Sequence, residues 1–241
     1  MSDVRQNPGF PDGRISAADL DERLRDGAGL PASPAAVGQL LALPNAPAPE
    51  AAAAMADLVR GDVALAAAAL AAANRTNPRA AATIDEACRI LTPAGLRRLA
   101  LTAPLATQTP AAADAIDQAA LRLHCLAVAH AARALAADAC PPVAPELAYT
   151  CGLLHDAGKL LLVHLFPKTY LHVLDSVRLG QGDLLEAERR ILGLDHAVAG
   201  RRLARRWRLG DAVEETAWFS HQPPEALPDL LEHGPLVKLV G

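Results

Sequence analysis

Aromatic side chains are scarce in this sequence: two Trp, two Tyr and three Phe make up 3% of 241 residues. Strands usually draw on aromatic and β-branched residues to fill a pleated, half-buried surface. Their shortage argues against a sheet. The chain also has little cysteine, and Cys88, Cys125, Cys140 and Cys151 are scattered with no CxxC pair. Such a set reads as buried, reduced thiols of a cytosolic protein. Positive charge is short as well, with a formal net charge of −4, which gives no ground for a nucleic-acid partner. No apolar run approaches the ~20 residues needed to span a bilayer. The longest clean stretch is "VALAAAALAAA", and the N-terminal "MSDVRQNPGFPDG" lacks the basic-then-apolar order of a secretory signal. No P-loop, GxGxxG or GxSxG occurs. The expectation is a cytoplasmic protein with no membrane partner.

What is abundant is alanine, which supplies much of the 51% hydrophobic share. Alanine is the best helix former and carries little side-chain area. The fold class is therefore all-α, with closely packed helices and leucine filling most of the core. Punctuation along the chain supports this. Residues 1–16, with Pro8, Gly9, Pro11 and Gly13, read as a flexible extension. Ser16, with Asp19 three residues on, can cap a helix that stops at Gly27. Short helices follow over 35–43 and 50–59. Asp62 can cap "VALAAAALAAAN", Thr83 opens another helix, and Thr92-Pro93 fits a cap followed by proline at the first helical position. Residues 109–114 read as a soft joint and 115–138 as a long helix. Cys140-Pro141-Pro142-Val143-Ala144-Pro145 reads as a rigid connector, followed by a second long helix over 146–164. Later helices cover 170–179 and 184–192, one capped by Asp195 and stopped by Gly210, and 211–220.

The second long helix contains "CGLLHDAGKLLL", in which His155, Asp156 and Lys159 sit among leucines. Polar groups on an apolar face are costly unless they are paired. His155 and Asp156 can reach one ion at the side of a helix. His124, in "LRLHCLAVAHAARALA", is a second histidine embedded among apolar residues and can supply a third corner from a facing helix. Imidazole with carboxylate suits a divalent Zn, Mn, Fe or Mg ion. The alternative is an interhelical His–Asp–His hydrogen-bond network. His130, His164, His172 and His233 have no such surroundings.

"GLLHDAGKL", with His124 upstream, resembles the core motif of the HD superfamily of metal-dependent phosphohydrolases and its HD-GYP branch. The segments "GLPASPAAVGQLLAL", "LVRGDVALAAAALAAANR" and "TIDEACRILTPAGLRRLAL" are similar to the upstream pattern of the HDOD family. "ILGLDHAVAGRRLARRWRLGDAVEETAWFSHQP" resembles its C-terminal part. The likeness spans residues 30–241. It implies a two-lobed helical bundle in a bacterial signalling module. The N-terminal helical lobe would span 17–112 and the HD-like lobe 113–241. His124, His155 and Asp156 match the first ligand positions of the HD pattern. His196 and His221 fall where HD-GYP-like enzymes carry further histidines. Lys159 matches a lysine that contacts phosphate in active relatives. Two departures point away from hydrolysis. No late-helix aspartate follows "PLVKLVG", and His221 is followed by Gln222-Pro223-Pro224 in place of the GYP signature. "AANRTNPRA" also lacks the aromatic usual in the family.

The resulting expectation is a non-catalytic regulatory module acting through signalling proteins or an anionic ligand. A metal-dependent phosphohydrolase acting on a phosphodiester or nucleotide is the alternative, and a ligand-free adaptor a third. An arginine cluster around Arg202 and Arg206 either forms a solvated face balanced by Glu186, Glu188, Glu214 and Glu215, or receives an anion. Trp207 and Trp218 read as core anchors.

Overall fold

The N-terminal lobe is built around a helix with almost no polar side. In a computed structural model describing residues 14–25, 29–44, 49–77, 80–106, 117–138, 143–228 and 231–241, α4 (Val63–Ala73) is apolar all round and mostly buried. A helix of that kind has to lie inside the protein. It packs against α3 (Pro49–Arg60) and α5 (Ile84–Thr102), and α2 (Pro34–Ala42) closes over α3 and α5. Alanine makes this possible, because short side chains let helix axes approach closely. Among the described residues no strand forms. One isolated bridge joins Ala32 to Leu105 and ties the start of the lobe to its end.

Caps lie where the sequence places them. Ser16 and Asp19 form reciprocal hydrogen bonds ahead of α1 (Ala17–Arg25). Thr83 and Glu86 form a capping box at α5. Thr92, at φ 61°, breaks α5 before Pro93, as the Thr-Pro pair requires. The expected stop at Gly27, the joint at 109–114 and residues 140–142 of the proline connector lie outside the described residues. So does the expected N-terminal extension up to residue 13. Residues 14–16 are docked: Ile15 is buried, and its N–H donates to the Leu192 carbonyl at 2.5 Å.

The C-terminal lobe contains α6 (Gln118–Asp138), α7 (Pro145–Leu154), α8 (Ala157–Leu165), α9 (Pro167–Arg178) and α10 (Leu184–Ile191). It continues through α11 (His196–Trp207), α12 (Asp211–Phe219), the short 3₁₀ turn Pro224–Ala226 and α13 (Gly234–Val240). The most extensive packing is between α6 and α7, and α11 lies against both α8 and α12. α1, expected with the N-terminal helices, packs on α11 instead. The helix expected over 146–164 is two helices. Asp156 leaves helical geometry at φ −101°, ψ 13°, so His155 and Asp156 form the turn between α7 and α8.

Buried polar groups join the lobes. Asp62 caps α4, accepting from the Ala64 and Leu65 amides at 3.0 Å. Its other oxygen accepts from the Ser33 amide at 2.9 Å and from Arg122 of α6 at 3.1 Å. Asn74, fully buried at the end of α4, donates to the Ala81 and Arg208 carbonyls, both at 2.9 Å. The Tyr149 hydroxyl of α7 donates to the Arg60 carbonyl at 3.1 Å.

Candidate metal centre

Asp156 sits at the α7–α8 turn with no exposed surface, and its carboxylate is the point on which the candidate residues converge. Oδ2 lies 2.7 Å from Lys159 Nζ, 3.3 Å from His155 Nε2 and 3.4 Å from His124 Nε2. Oδ1 lies 2.9 Å from His221 Nε2 and 3.7 Å from His196 Nε2. The five residues named from the sequence, His124, His155, Asp156, His196 and His221, thus meet at one place from α6, the α7–α8 turn, the start of α11 and the end of α12. His130, His164, His172 and His233 are not part of it.

Two glycines flanking the His-Asp pair explain why the helices come close enough. A Cβ on Gly152 would lie 2.8 Å from Ala129 Cα, so a side chain there would push away α6 and His124 with it. A Cβ on Gly158 would lie 2.0 Å from the His196 carbonyl oxygen and 2.6 Å from the Gly200 nitrogen. The backbones of α8 and α11 therefore touch only because that position is bare. The spacing of glycine three residues before the pair and two after it shapes the pocket on both sides.

Burial by itself would raise the pKa of the Asp156 carboxyl. The imidazoles of His124, His155 and His221 reverse that effect and hold it well below the usual carboxylate range. The histidines are oriented in turn. His155 Nδ1 is 2.8 Å from the Gly152 carbonyl, which directs Nε2 towards Asp156. Glu188 lies 2.6 Å from His196 Nδ1 and accepts from the His196 amide at 2.8 Å. Its other oxygen accepts from the Tyr170 hydroxyl at 2.7 Å. Burial and the Glu188 charge push the Tyr170 phenol far above its ordinary range, so it keeps its proton and donates.

Glu188 is a correction to the sequence reading, which placed it among carboxylates balancing the surface arginines. It is fully buried. The signal was present: Leu184, Ala187, Glu188 and Ile191 share the i, i+3, i+4, i+7 stripe of α10, the face that turns inward. Tyr170 was likewise not singled out as a site residue.

These donors fit a metal. Two groups have ligand atoms within 4.8 Å of one another, His124–His155–Asp156 and Asp156–His196–His221, with Asp156 common to both. His196 Nε2 is buried with no hydrogen-bond partner. An imidazole whose Nδ1 is fixed by a carboxylate while Nε2 is left open is the usual arrangement of a metal-bound histidine. Four imidazoles with one carboxylate suit Zn, Fe or Mn better than Mg, which prefers an oxygen-dominated shell.

The arginines divide. Arg202 pairs with Asp21 of α1, Arg201 and Arg205 both reach Glu214, at 3.0 and 2.6 Å, and Arg206 has no partner among the described residues. Of the four glutamates expected to balance them, only Glu214 pairs with this cluster among the described residues. Glu186 caps α10, and Glu215 accepts from the His233 amide. Trp207 packs on the core as expected, whereas Trp218 lies outside it, under the Arg201 guanidinium at 4.4 Å.

Among solved structures, the fold is similar to that of the MmoQ response regulator of Methylococcus capsulatus str. Bath. Identity is 25%, covering 88% of this chain and 83% of that one, with a TM-score of 0.72. An HDOD domain protein from Geobacter sulfurreducens is 26% identical over 92% of this chain and 74% of that one, with a TM-score of 0.52. A Campylobacter jejuni virulence factor shares the fold at 19% identity over 90% and 79%, with a TM-score of 0.67. No curated protein matches the chain significantly. The HDOD domain model matches residues 30–223, which carry all five converging residues, and the chain belongs to the HDOD domain family.

Proposed function

We propose that this chain is a bacterial regulatory module whose HD-type centre holds a divalent ion without turning over a phosphodiester. It passes signals through contacts with other proteins. The observation that carries this reading is Lys159 Nζ at 2.7 Å from Asp156 Oδ2. Asp156 is the only carboxylate in either candidate ligand group, and the chain's own ammonium already sits on it. Glu188, the other buried carboxylate nearby, is taken up by His196 and Tyr170. Two ions sharing a single, already paired carboxylate would leave a large uncompensated charge in a buried place. A single ion held by Asp156, His196 and His221 avoids that cost. Such an ion would supply Lewis acidity and lower the pKa of a bound water. The protein's own residues contribute orientation: Glu188 fixes the His196 ring, Gly152 fixes His155, and the turn fixes Asp156.

The free thiols Cys88, Cys125 and Cys151 support a cytoplasmic location. No helix among the described residues is long and apolar enough to cross a membrane. Similarity to a response regulator supports the signalling role. A phosphohydrolase is the second reading, favoured by Asp156 bridging two ligand groups. Elemental analysis of the purified protein, with thermal unfolding before and after chelation, tests the metal half of the proposal. The expected result is about one transition-metal ion per chain and a lower Tm once it is removed. Protein free of metal and unmoved by added Zn²⁺ or Mn²⁺ would leave only a hydrogen-bonded polar network.

A further inference from the structure

A second site runs along α11, from Val198 near its start to Arg208 at its C-cap. The helix begins with His196 at the candidate metal centre and ends about 17 Å further along its axis, and its arginines occupy the stretch from Arg201 onward. There α1, α11 and α12 enclose a groove of about 590 Å³. Arg201, Arg202, Arg205, Arg206 and Arg208 enter it from α11 and its C-cap, and Arg25 enters from α1. Asp21 is the only carboxylate among the lining residues, and it is already bound to Arg202. Glu214 pairs with Arg201 and Arg205.

Among the described residues the charge is not balanced locally. Arg25 and Arg206 are exposed and have no partner among the described residues. Arg201 with Arg205, and Arg202 with Arg206, are like charges at i,i+4 spacing, which weakens a helix. The ends of α1 and α11 both favour cations, but each helix end offers only about half a negative charge. With Asp21 and Glu214 included, roughly three positive charges remain in excess among the described residues, on a chain whose net charge is −4. Guanidinium groups grip phosphate through paired N–H donors.

The groove is also larger than phosphate needs, and it has a wall of another kind. Trp218 and Val198 line it, with the Trp218 ring under Arg201. A volume of this size falls in the range of small-molecule sites. We propose that the groove binds a phosphorylated nucleotide. Arg25 and Arg206 take the phosphates, and the base lies against the Trp218–Val198 wall.

Calorimetry tests this with ADP and with inorganic pyrophosphate, both in excess chelator so that no metal ion bridges ligand to Asp156. The expected result is saturable one-to-one ADP binding that weakens with added salt. It is at least tenfold weaker in the Arg25→Ala/Arg206→Ala double variant and unchanged in Lys168→Ala, which removes an exposed cation elsewhere. Pyrophosphate should bind at least tenfold more weakly than ADP. Absence of saturable ADP binding, or equal binding by wild type and the double variant, overturns the site. Pyrophosphate binding as tightly as ADP overturns the nucleotide assignment. Saturable binding of a hexaglutamate peptide without any binding of ADP makes the groove a protein-contact surface and overturns it as well.

Discussion

Glu188 Oε2 lies 2.6 Å from His196 Nδ1 and 2.8 Å from the His196 amide, so one buried carboxylate fixes both the ring and the backbone of a residue whose Nε2 faces Asp156. The relationship joins α10 to the first residue of α11. It also makes the orientation of His196 a property of the scaffold. Replacing Glu188 by Gln keeps the shape but removes the carboxylate that holds the ring through Nδ1. Metal affinity, measured by competition with a chelator, should fall roughly 10- to 100-fold. Unchanged affinity would remove His196 from the ligand set.

Gly158 supports the same centre from the other side. Its substitution by Ala places a Cβ 2.0 Å from the His196 carbonyl oxygen, and both partners are backbone. The helices must separate, at a cost of about 1–3 kcal/mol, and metal binding should weaken with them. Gly38 is the control, because it is exposed within α2 and a Cβ added there would meet no atom within 4 Å. Gly38→Ala should stabilise by roughly 0.5–1 kcal/mol. Urea unfolding of the two variants reads both effects.

Asp62 carries the junction between the lobes. Asp62→Ala removes the cap of α4 and leaves the Ser33 amide and the Arg122 guanidinium without their buried acceptor. The loss should be about 3 kcal/mol, from roughly 1 for a cap and 1–3 for stranded donors. Asp62→Asn keeps an oxygen for the cap and should cost less. Equal losses in the two variants would mean that the cap adds nothing and that the Ser33 and Arg122 contacts carry the whole effect.

Thiol chemistry reports on the core. Burial pushes the Cys88 thiol up to about 11, and Cys125 and Cys151 up to about 12. At pH 8 almost none of these groups is thiolate, the form that reacts. All three should therefore resist a disulfide reagent in the native protein and react at the rate of unfolding. Fast labelling of any of them, located by mass spectrometry, would contradict the packing described here.

The helical character of the chain was legible because alanine and the scarcity of aromatics leave few other options, and the caps at Ser16, Asp62, Thr83 and Asp195 are local signals. His124, His155 and Asp156 were legible from the chemistry of polar groups on apolar helices, whereas His196 and His221 were legible only through the family resemblance, since they are far from Asp156 in sequence. What stayed hidden in the sequence is tertiary. The turn at His155-Asp156 lies inside an apolar run with no proline to mark it. Glu188 looked like a surface charge because its neighbours Arg189 and Arg190 are charged, although its position on the α10 stripe faces inward. Trp218 looked like a core anchor, and only the packing of α12 shows it beneath Arg201.

The central claim is tested most directly by the hydrolysis rate of bis(p-nitrophenyl) phosphate by the chain loaded with Mn²⁺, measured beside Asp156→Ala under the same conditions. A non-catalytic centre predicts that the two rates are indistinguishable. Turnover by the wild-type chain that disappears in Asp156→Ala would show the centre to be a working phosphohydrolase.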